Sequence, residues 1–341
     1  WPLCRVGSNP TPGAILFFEV EIVFKVYDLF CGAGGFSRGF VEEGFKIIGA
    51  IDNFPPVAET YRYNFPDVTL VAEDIKEVHP LVFLEIVGEE PDVIIGSPPC
   101  EPFTAANIKR LENPLDRLYK DPIGRLTLTF IRFVGDLQPK VFIMENVPQI
   151  TEGLLKDAIR KEFERVGYSK IYFNLLRAER YGNPSRRSRM FISNIKLSPR
   201  PVKKKVTVIE AIGDLPSPEE IHDIPNHEWH PIPKRKRRKI VSLGWGESLV
   251  FYRGSKGKVY TNWTRLHPYR VAPTVLGNSR FIHPFEDRFL TVREHARLMS
   301  FPDNHIFFGG RSVQYEEVGE AVPVVLARVI AQEVKKFLVE N

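Results

Sequence analysis

Cysteine is scarce in this chain, and its scarcity excludes a disulfide framework. The 341 residues contain three cysteines, Cys4, Cys31 and Cys100. They are too few and too scattered to crosslink a small secreted fold. They suit a reducing compartment, so we expect a cytoplasmic protein in which a thiol is free to react.

Long apolar runs and the glycine-rich loops that bind nucleotide phosphates are also absent. The most apolar early run, residues 15–24, is interrupted by Glu19 and Glu21, and it falls short of the roughly 20 apolar residues of a membrane helix. No Gly-Lys-Ser/Thr loop and no Gly-x-Gly-x-x-Gly fingerprint occurs. These absences argue against a membrane protein, a P-loop nucleoside triphosphatase and a Rossmann oxidoreductase. Residues 1–24 carry no recognisable motif and are treated as an N-terminal extension.

A strong excess of one charge is missing as well. Lys and Arg number 47 against 42 Asp and Glu, for a net charge of +5 and a pI near 9.0. This mild basicity permits a polyanionic partner without requiring one. The cations are concentrated in one run, which is either a solvated charged segment or a phosphate contact: Lys234, Arg235, Lys236, Arg237, Arg238 and Lys239.

Strand-like and helix-like segments alternate through the first half of the chain. Apolar runs predict strands at residues 24–30, 46–52, 68–71, 92–96, 141–144, 171–176 and 189–195, with helices at 37–43, 56–64 and 124–135. Such alternation predicts an α/β fold with a parallel sheet, whose ligands gather at the carboxyl ends of the strands.

The composition changes after residue 198, where Pro, Lys and Arg become frequent and periodicity fades. This predicts a loop-rich insert, and a helical pattern returns at residues 321–338. His222, His227 and His230 lie in the insert, but their spacing matches no standard metal site, so we interpret them as surface histidines and expect no metal.

The first motif with chemical content is the glycine loop at residues 28–35, Asp-Leu-Phe-Cys-Gly-Ala-Gly-Gly. Glycines there let the backbone approach a ligand closely. Asp52 ends the next predicted strand, at the distance where an acidic side chain typically holds ribose hydroxyls, and Asp74 ends the third. The set indicates a nucleoside cofactor, and ordinary strand-to-helix turns are the alternative.

Two further motifs point to attack by a thiol. Residues 96–104 (Gly-Ser-Pro-Pro-Cys-Glu-Pro-Phe-Thr) place Cys100 after two rigid prolines and near an expected helix start, where the pKa of a thiol is lowered. The alternative is a buried packing cysteine. Residues 145–147 (Glu-Asn-Val) place Glu145 at the end of another strand, where it either contacts a base or is exposed to solvent.

Taken together, the ordered motifs resemble those of the cytosine-C5 DNA methyltransferase family. The resemblance spans about residues 25–328 and includes the segments 28–35, 96–100, 145–147, 186–189 (Arg-Arg-Ser-Arg), 270–274 (Arg-Val-Ala-Pro-Thr), 288–294, 301–303 (Phe-Pro-Asp) and 314–323. The chain departs from the family pattern at Ser185, where Gln is usual, and at Glu320, where Asn is usual.

The resemblance implies a mechanism. The cysteine matching Cys100 adds to C6 of cytosine and makes C5 nucleophilic. Glu145 then holds N3 and N4, and Arg187, from the Arg-x-Arg match, binds O2. The methyl donor is S-adenosylmethionine, and the target base flips out of the duplex. The sequence does not identify the base that removes the C5 proton.

The same resemblance implies a donor pocket formed by Phe30, Ala33, Asp52, Asn53, Asp74, Ile75, Pro99 and Glu320. We expect Glu320 to repel the donor's carboxylate, so that Glu320→Asn tightens donor binding. The implied architecture is a Rossmann-like methyltransferase domain, residues 25–195 and 312–341, whose C-terminal segment folds back beside the first strand. A smaller target-recognition domain occupies residues 196–311.

Double-stranded DNA is the implied substrate, and within the recognition domain the basic run favours phosphate contact. We expect a monomer, with a cognate restriction endonuclease as partner. One alternative is the family branch that methylates tRNA, although its Cys-Phe-Thr tripeptide is absent here. Another is a catalytically silent relative that binds nucleic acid, which the changes at Ser185 and Glu320 leave open.

Overall fold

Seven strands form the central sheet of this computed structural model, which describes residues 22–229, 232–254 and 257–341. The expected strands are all present with shifts of one or two residues at their ends, and the strand that carries Glu145 extends to Asn146. The strands are β1 Lys25–Leu29, β2 Lys46–Ile51, β3 Thr69–Val71, β4 Val93–Gly96, β5 Val141–Asn146, β6 Tyr172–Arg177 and β7 Ser188–Ser193.

The strand order in the sheet is β3-β2-β1-β4-β5-β7-β6. Strands β1 to β5 are mutually parallel, as expected, whereas β7 inserts antiparallel between β5 and β6. The order reverses between β1 and β4, and ligands of open α/β sheets bind beyond the carboxyl ends of the strands at such a point.

Helices cover both faces of the sheet. In chain order they are α1 Gly35–Glu42, α2 Pro55–Asn64, α3 Pro80–Val87, α4 Pro114–Tyr119, α5 Leu126–Leu137, α6 Leu155–Arg165, α7 Val208–Ile212, α8 Lys234–Val241, α9 Val292–Leu298, α10 Arg311–Glu320 and α11 Val324–Glu340. One apolar core contains side chains of α3, α5 and α6, and the opposite core joins α1 to α11. The expectation that the C-terminal segment returns to the first strand is confirmed, because α11 packs on α1 and shares a core with Val26 of β1.

The segment after β7 is more regular than its composition suggests. The basic run forms the first turns of α8, and residues Ser248–Arg253 (β8) and Val259–Thr264 (β9) form an antiparallel hairpin that the sequence did not predict. Helix α9 starts with a capping box between Thr291 and Glu294. Among the described helices, none is long and apolar enough to cross a bilayer.

The interpretation of the three insert histidines as surface residues is wrong for His227. Its side chain is fully buried, and its Nε2 lies 2.9 Å from the carbonyl oxygen of Pro216. Its Nδ1 lies 2.8 Å from the hydroxyl oxygen of Thr291, so His227 links the insert to the start of α9. His222 packs beside its ring, whereas His230 lies outside the described residues. Within those residues no cluster of three metal-binding side chains occurs.

Candidate active site

The glycine loop after β1 turns sharply into α1. Phe30 has φ 58° and Gly34 φ 82°, both in the left-handed region. A Cβ on Gly34 would lie 2.2 Å from the ring of Phe65, and Gly35 is packed against Ala321 and the carbonyl of Val322. Gly34 and Gly35 therefore cannot carry a side chain without a clash, and this keeps the loop in one compact conformation.

A buried histidine that the sequence analysis missed supports this loop. The Nε2 of His305 lies 2.8 Å from the carbonyl oxygen of Ala33, and its Nδ1 lies 3.3 Å from Nη2 of Arg38. Burial, reinforced by the Arg38 charge, lowers the pKa of His305 to about 3, so the ring is neutral. A neutral ring can donate to Ala33 and accept from Arg38. The available signal was its position two residues after the Phe-Pro-Asp motif.

Asp52 connects the glycine loop to the second strand. Its Oδ2 accepts a hydrogen bond from the backbone N–H of Gly32 at 3.0 Å, and its Oδ1 accepts one from Phe54 at 3.1 Å. Burial raises the pKa of Asp52, although these backbone donors oppose the shift. The carboxylate is thus fixed beside the loop, as a ribose-binding acid needs to be.

The predicted donor-pocket residues follow four neighbouring strands: Phe30 and Ala33 after β1, Asp52 and Asn53 after β2, Asp74 and Ile75 after β3, and Pro99 after β4. Ala33 and Ile75 are buried within apolar cores, so they shape the pocket from behind. Asn53 is exposed, and Asp74 forms an ion pair with Lys76 at 2.9 Å.

Cys100 lies on the loop after β4, and the residue is partly exposed. Asn146 of β5 donates to the carbonyl oxygen of Pro98 at 3.1 Å, which fixes the approach to the cysteine. The expected helix start beside the thiol is absent, since residues 101–103 form a turn. Burial raises the pKa of Cys100, so the expectation of a lowered pKa is wrong. Arg189 and Arg187 oppose the shift.

Glu145 is buried beside the thiol. It lies within β5, with 5% of its surface exposed, so the solvent-exposed alternative is wrong. Its Oε1 lies 2.7 Å from Nε of Arg189 in β7, an ion pair without hydrogen-bond alignment. That oxygen therefore keeps its capacity to accept a hydrogen bond from a ligand.

Arg187 occupies a different place from the one expected. Its guanidinium is 1% exposed, and Nη1 donates to the carbonyl oxygens of Val275 at 2.9 Å and Gly319 at 2.8 Å. Nη2 donates to the carbonyl of Glu320 at 3.0 Å. These bonds hold the terminal nitrogens of Arg187 to the backbone, whereas Arg189 lies beside Glu145. The sequence pattern contained both arginines and did not distinguish them.

Glu320 ends α10 with its side chain exposed. Although part of Glu320 is open to solvent, the protein atoms around its carboxyl partly desolvate it and raise its pKa, and the charges of Glu101 and Glu316 raise the pKa further. The six cations of the basic run lie apart, on α8; five are exposed and Lys236 is half-buried. Electrostatic interactions connect Cys100 to Glu145, Arg189 and Glu320, and they connect Glu320 to Asp52.

The chain is similar to known proteins over most of its length. A family model described as C-5 cytosine-specific DNA methylase matches residues 24–336. M.MJ0563P of Methanocaldococcus jannaschii, a candidate type II methyltransferase, is 55% identical over 319 residues, which are 92% of this chain and 100% of the relative. The type II methyltransferase M.DdeI of Desulfomicrobium norvegicum is 34% identical, over 92% of this chain and 89% of the relative.

Solved structures show the same fold. A candidate DNA modification methyltransferase encoded within an E. coli prophage matches with a TM-score of 0.75 at 24% identity, over 92% of this chain and 99% of that chain. A methyltransferase of Entamoeba histolytica, EhMeth, matches with a TM-score of 0.64 at 15% identity, over 93% of this chain and 99% of that chain.

Proposed function

The chain belongs to the C-5 cytosine-specific DNA methylase family and is a DNA cytosine-C5 methyltransferase, and from this premise we propose that Cys100 bonds covalently to C6 of a flipped cytosine while C5 is methylated. The observation that carries this proposal is the meeting of a partly exposed cysteine, a buried carboxylate and a guanidinium at the ends of β4, β5 and β7. Such a set can attack an aromatic ring and stabilise the charge that develops on it.

Each of the three side chains has a separate task. The Cys100 thiolate adds to C6, and electron density moves to C5. The free acceptor capacity of Glu145 suits the N4 amino group and a protonated N3 of cytosine. Arg189 places its positive charge beside Glu145 and lowers the pKa that burial has raised on Cys100. Arg187 fixes the backbone behind them.

The crevice at β1 and β2 fits a nucleoside methyl donor, and S-adenosylmethionine is the donor we propose. A Cβ on Gly32 would meet no atom within 4 Å, so open space faces the glycine loop. Asp52 would bind the ribose hydroxyls there, with Phe30, Asn53, Asp74 and Pro99 around it. When bound, the donor supplies an electrophilic methyl group on a sulfonium.

The DNA target must leave the duplex, because C6 of a stacked cytosine does not reach a thiol set back among protein atoms. We propose that residues 196–311 read the flanking sequence. The β8–β9 hairpin supports this, since Gly254 at its end lies against Ala105 and Ala106 of the segment after Cys100. The family description, C-5 cytosine-specific DNA methylase, favours DNA over tRNA, and a restriction endonuclease of matching specificity is the partner we propose.

The test of this mechanism is a covalent trap. Wild-type protein incubated with S-adenosylmethionine and DNA containing 5-fluorocytosine should form an adduct stable to denaturant, because fluorine does not leave as a proton does. Cys100→Ala should form none and lose methyl transfer, while its donor affinity by calorimetry stays within about 3-fold, a change of under 1 kcal/mol. Methyl transfer by Cys100→Ala at the wild-type rate would contradict the mechanism. Cys31→Ala, which alters a buried cysteine, is the control.

A further inference from the structure

The proposed reaction leaves one proton without an acceptor. After Cys100 has added to C6 and C5 has gained a new substituent, the hydrogen on C5 must leave before the ring double bond re-forms. Cys100 is then bonded to the ring, Glu145 is occupied at the N3 and N4 edge, and Arg189 is a cation. The proton therefore passes either to water or to another side chain of the site.

The backbone of Glu320 is fixed at the junction of the two functional regions. Arg187 donates to the carbonyl oxygens of Gly319 at 2.8 Å and Glu320 at 3.0 Å, which ties the end of α10 to the segment that precedes Arg189. The next residue, Ala321, packs against Gly35 of the glycine loop. Glu320 consequently stands between the base-binding arginine segment and the proposed donor loop.

The carboxyl of Glu320 is within electrostatic reach of both regions. It interacts with the Cys100 thiol, with Asp52 beside the glycine loop and with the Arg187 guanidinium. Glu101 of the Cys100 loop and Glu316 of α10 are the other charged groups that face it. Burial, with help from these carboxylates, raises its pKa, and a raised pKa makes a carboxylate a better proton acceptor near neutral pH.

We propose that Glu320 is the proton acceptor for C5 of the target cytosine, an inference that rests on the proposed function. The Glu320 carboxylate takes the C5 proton, and the electron pair of the C–H bond forms the C5–C6 double bond. The bond between C6 and the Cys100 sulfur breaks at the same time, and the thiolate leaves. Charge balances, because one carboxylate is neutralised as one thiolate is released.

The test uses no methyl donor, so effects of Glu320 on donor binding do not enter. Addition of Cys100 alone makes C5 basic enough to take a proton from water, and subsequent removal of either hydrogen exchanges the position. Wild-type protein should therefore release tritium to water from DNA labelled at cytosine C5. Glu320→Gln should release it about 100-fold more slowly. Glu340→Gln, which removes an exposed carboxylate at the end of α11, should behave as the wild type.

The 5-fluorocytosine trap separates this inference from the proposed function, because trapping needs addition and methylation but no proton removal. At saturating donor, Glu320→Gln should be trapped at the wild-type rate. Tritium release by Glu320→Gln at the wild-type rate overturns the inference, and so does an equal loss of trapping and release, which would place Glu320 at an earlier step. Failure of the wild-type protein to be trapped would instead overturn the proposed function.

Discussion

At the scale of single residues, Arg187 and Arg189 show how far a motif can assign a role. Both belong to one Arg-x-Arg pattern, and residues two apart along an extended chain face the same side. Their roles are separated by partners far away in sequence: the carbonyls of Val275 and Gly319 bind Arg187, whereas Glu145 pairs with Arg189. The motif locates the pair, and only tertiary contacts decide which member is bound by backbone carbonyls and which lies beside Glu145.

A pair of substitutions tests this assignment. Arg187→Lys keeps the charge but loses the fork that reaches three carbonyls, so it should lower the free energy of unfolding by about 2–3 kcal/mol. Trapping by 5-fluorocytosine per folded molecule should stay within about 3-fold, under 1 kcal/mol. Arg189→Gln should slow trapping about 100-fold, as loss of a transition-state contact does. Denaturation in urea and trapping rates give both readouts. Arg187→Lys that stays stable but is not trapped would restore Arg187 as the base contact.

At the scale of elements, the sequence predicts the strands that are buried on both faces of the sheet. It misses the elements and side chains that are held by contacts with residues distant in the sequence. Strands such as β4 and β5 are continuous apolar runs, which is why their positions were correct. Helix α8 begins with six cations and buries only Ile240, so it has no apolar periodicity from which a helix could be predicted. His227 resembled a surface residue because its partners Pro216 and Thr291 are 11 and 64 residues away.

The buried polar residues at the start of helix α9 should contribute measurably to the free energy of unfolding. Glu294 is 1% exposed and accepts two hydrogen bonds from Arg288, each 2.8 Å, besides one from the backbone of Thr291 at 2.7 Å. Burial alone would raise the pKa of Glu294, but the Arg288 bonds outweigh it and the pKa is lowered. Removing the charge leaves a buried guanidinium without its main partner.

Glu294→Gln should therefore cost about 3 kcal/mol of unfolding free energy at pH 7. Because the folded pKa is depressed, this contribution is complete above the ordinary Glu value of 4.5 and is lost as pH falls through the folded pKa. Urea denaturation of both proteins between pH 7 and pH 3 measures the difference. Glu286→Gln, which removes a more exposed carboxylate from the same arginine, should cost about 1 kcal/mol or less. A cost for Glu294→Gln that did not shrink toward acid pH would contradict the linkage.

At the scale of the whole molecule, the class of fold followed from alternation, but the order of the strands did not. Local patterns carry no information on neighbours in the sheet, so the antiparallel insertion of β7 between β5 and β6 was not foreseen. That insertion matters for the site, because it places Arg189 beside Glu145 of β5. The proposed site is likewise assembled from strand ends that are distant in sequence, at Leu29, Ile51, Gly96 and Asn146.

The basic run on α8 bears on how the whole molecule binds DNA. The six cations on α8 include five exposed side chains, and among the described residues none of the six forms an ion pair. Unpaired cations on one short helix are suited to phosphates. Folding does not depend on them, since the helix is anchored by Ile240 in a small core with Ile282 and Phe289.

The double substitution Lys234→Gln with Arg238→Gln should weaken binding to all DNA sequences alike. If both side chains touch phosphates, the slope of log affinity against log salt should fall by about 1.8, at about 0.9 per contact. The control is Lys161→Gln with Lys336→Gln, which removes two exposed cations from α6 and α11 and should leave the slope unchanged. DNA affinities should be measured between about 50 and 200 mM salt, with and without the target sequence. Over this range the contribution of phosphate contacts to affinity changes strongly. Equal slopes for the two double variants would mean that the basic run is only solvated, and that the cations which hold the DNA lie elsewhere on the protein.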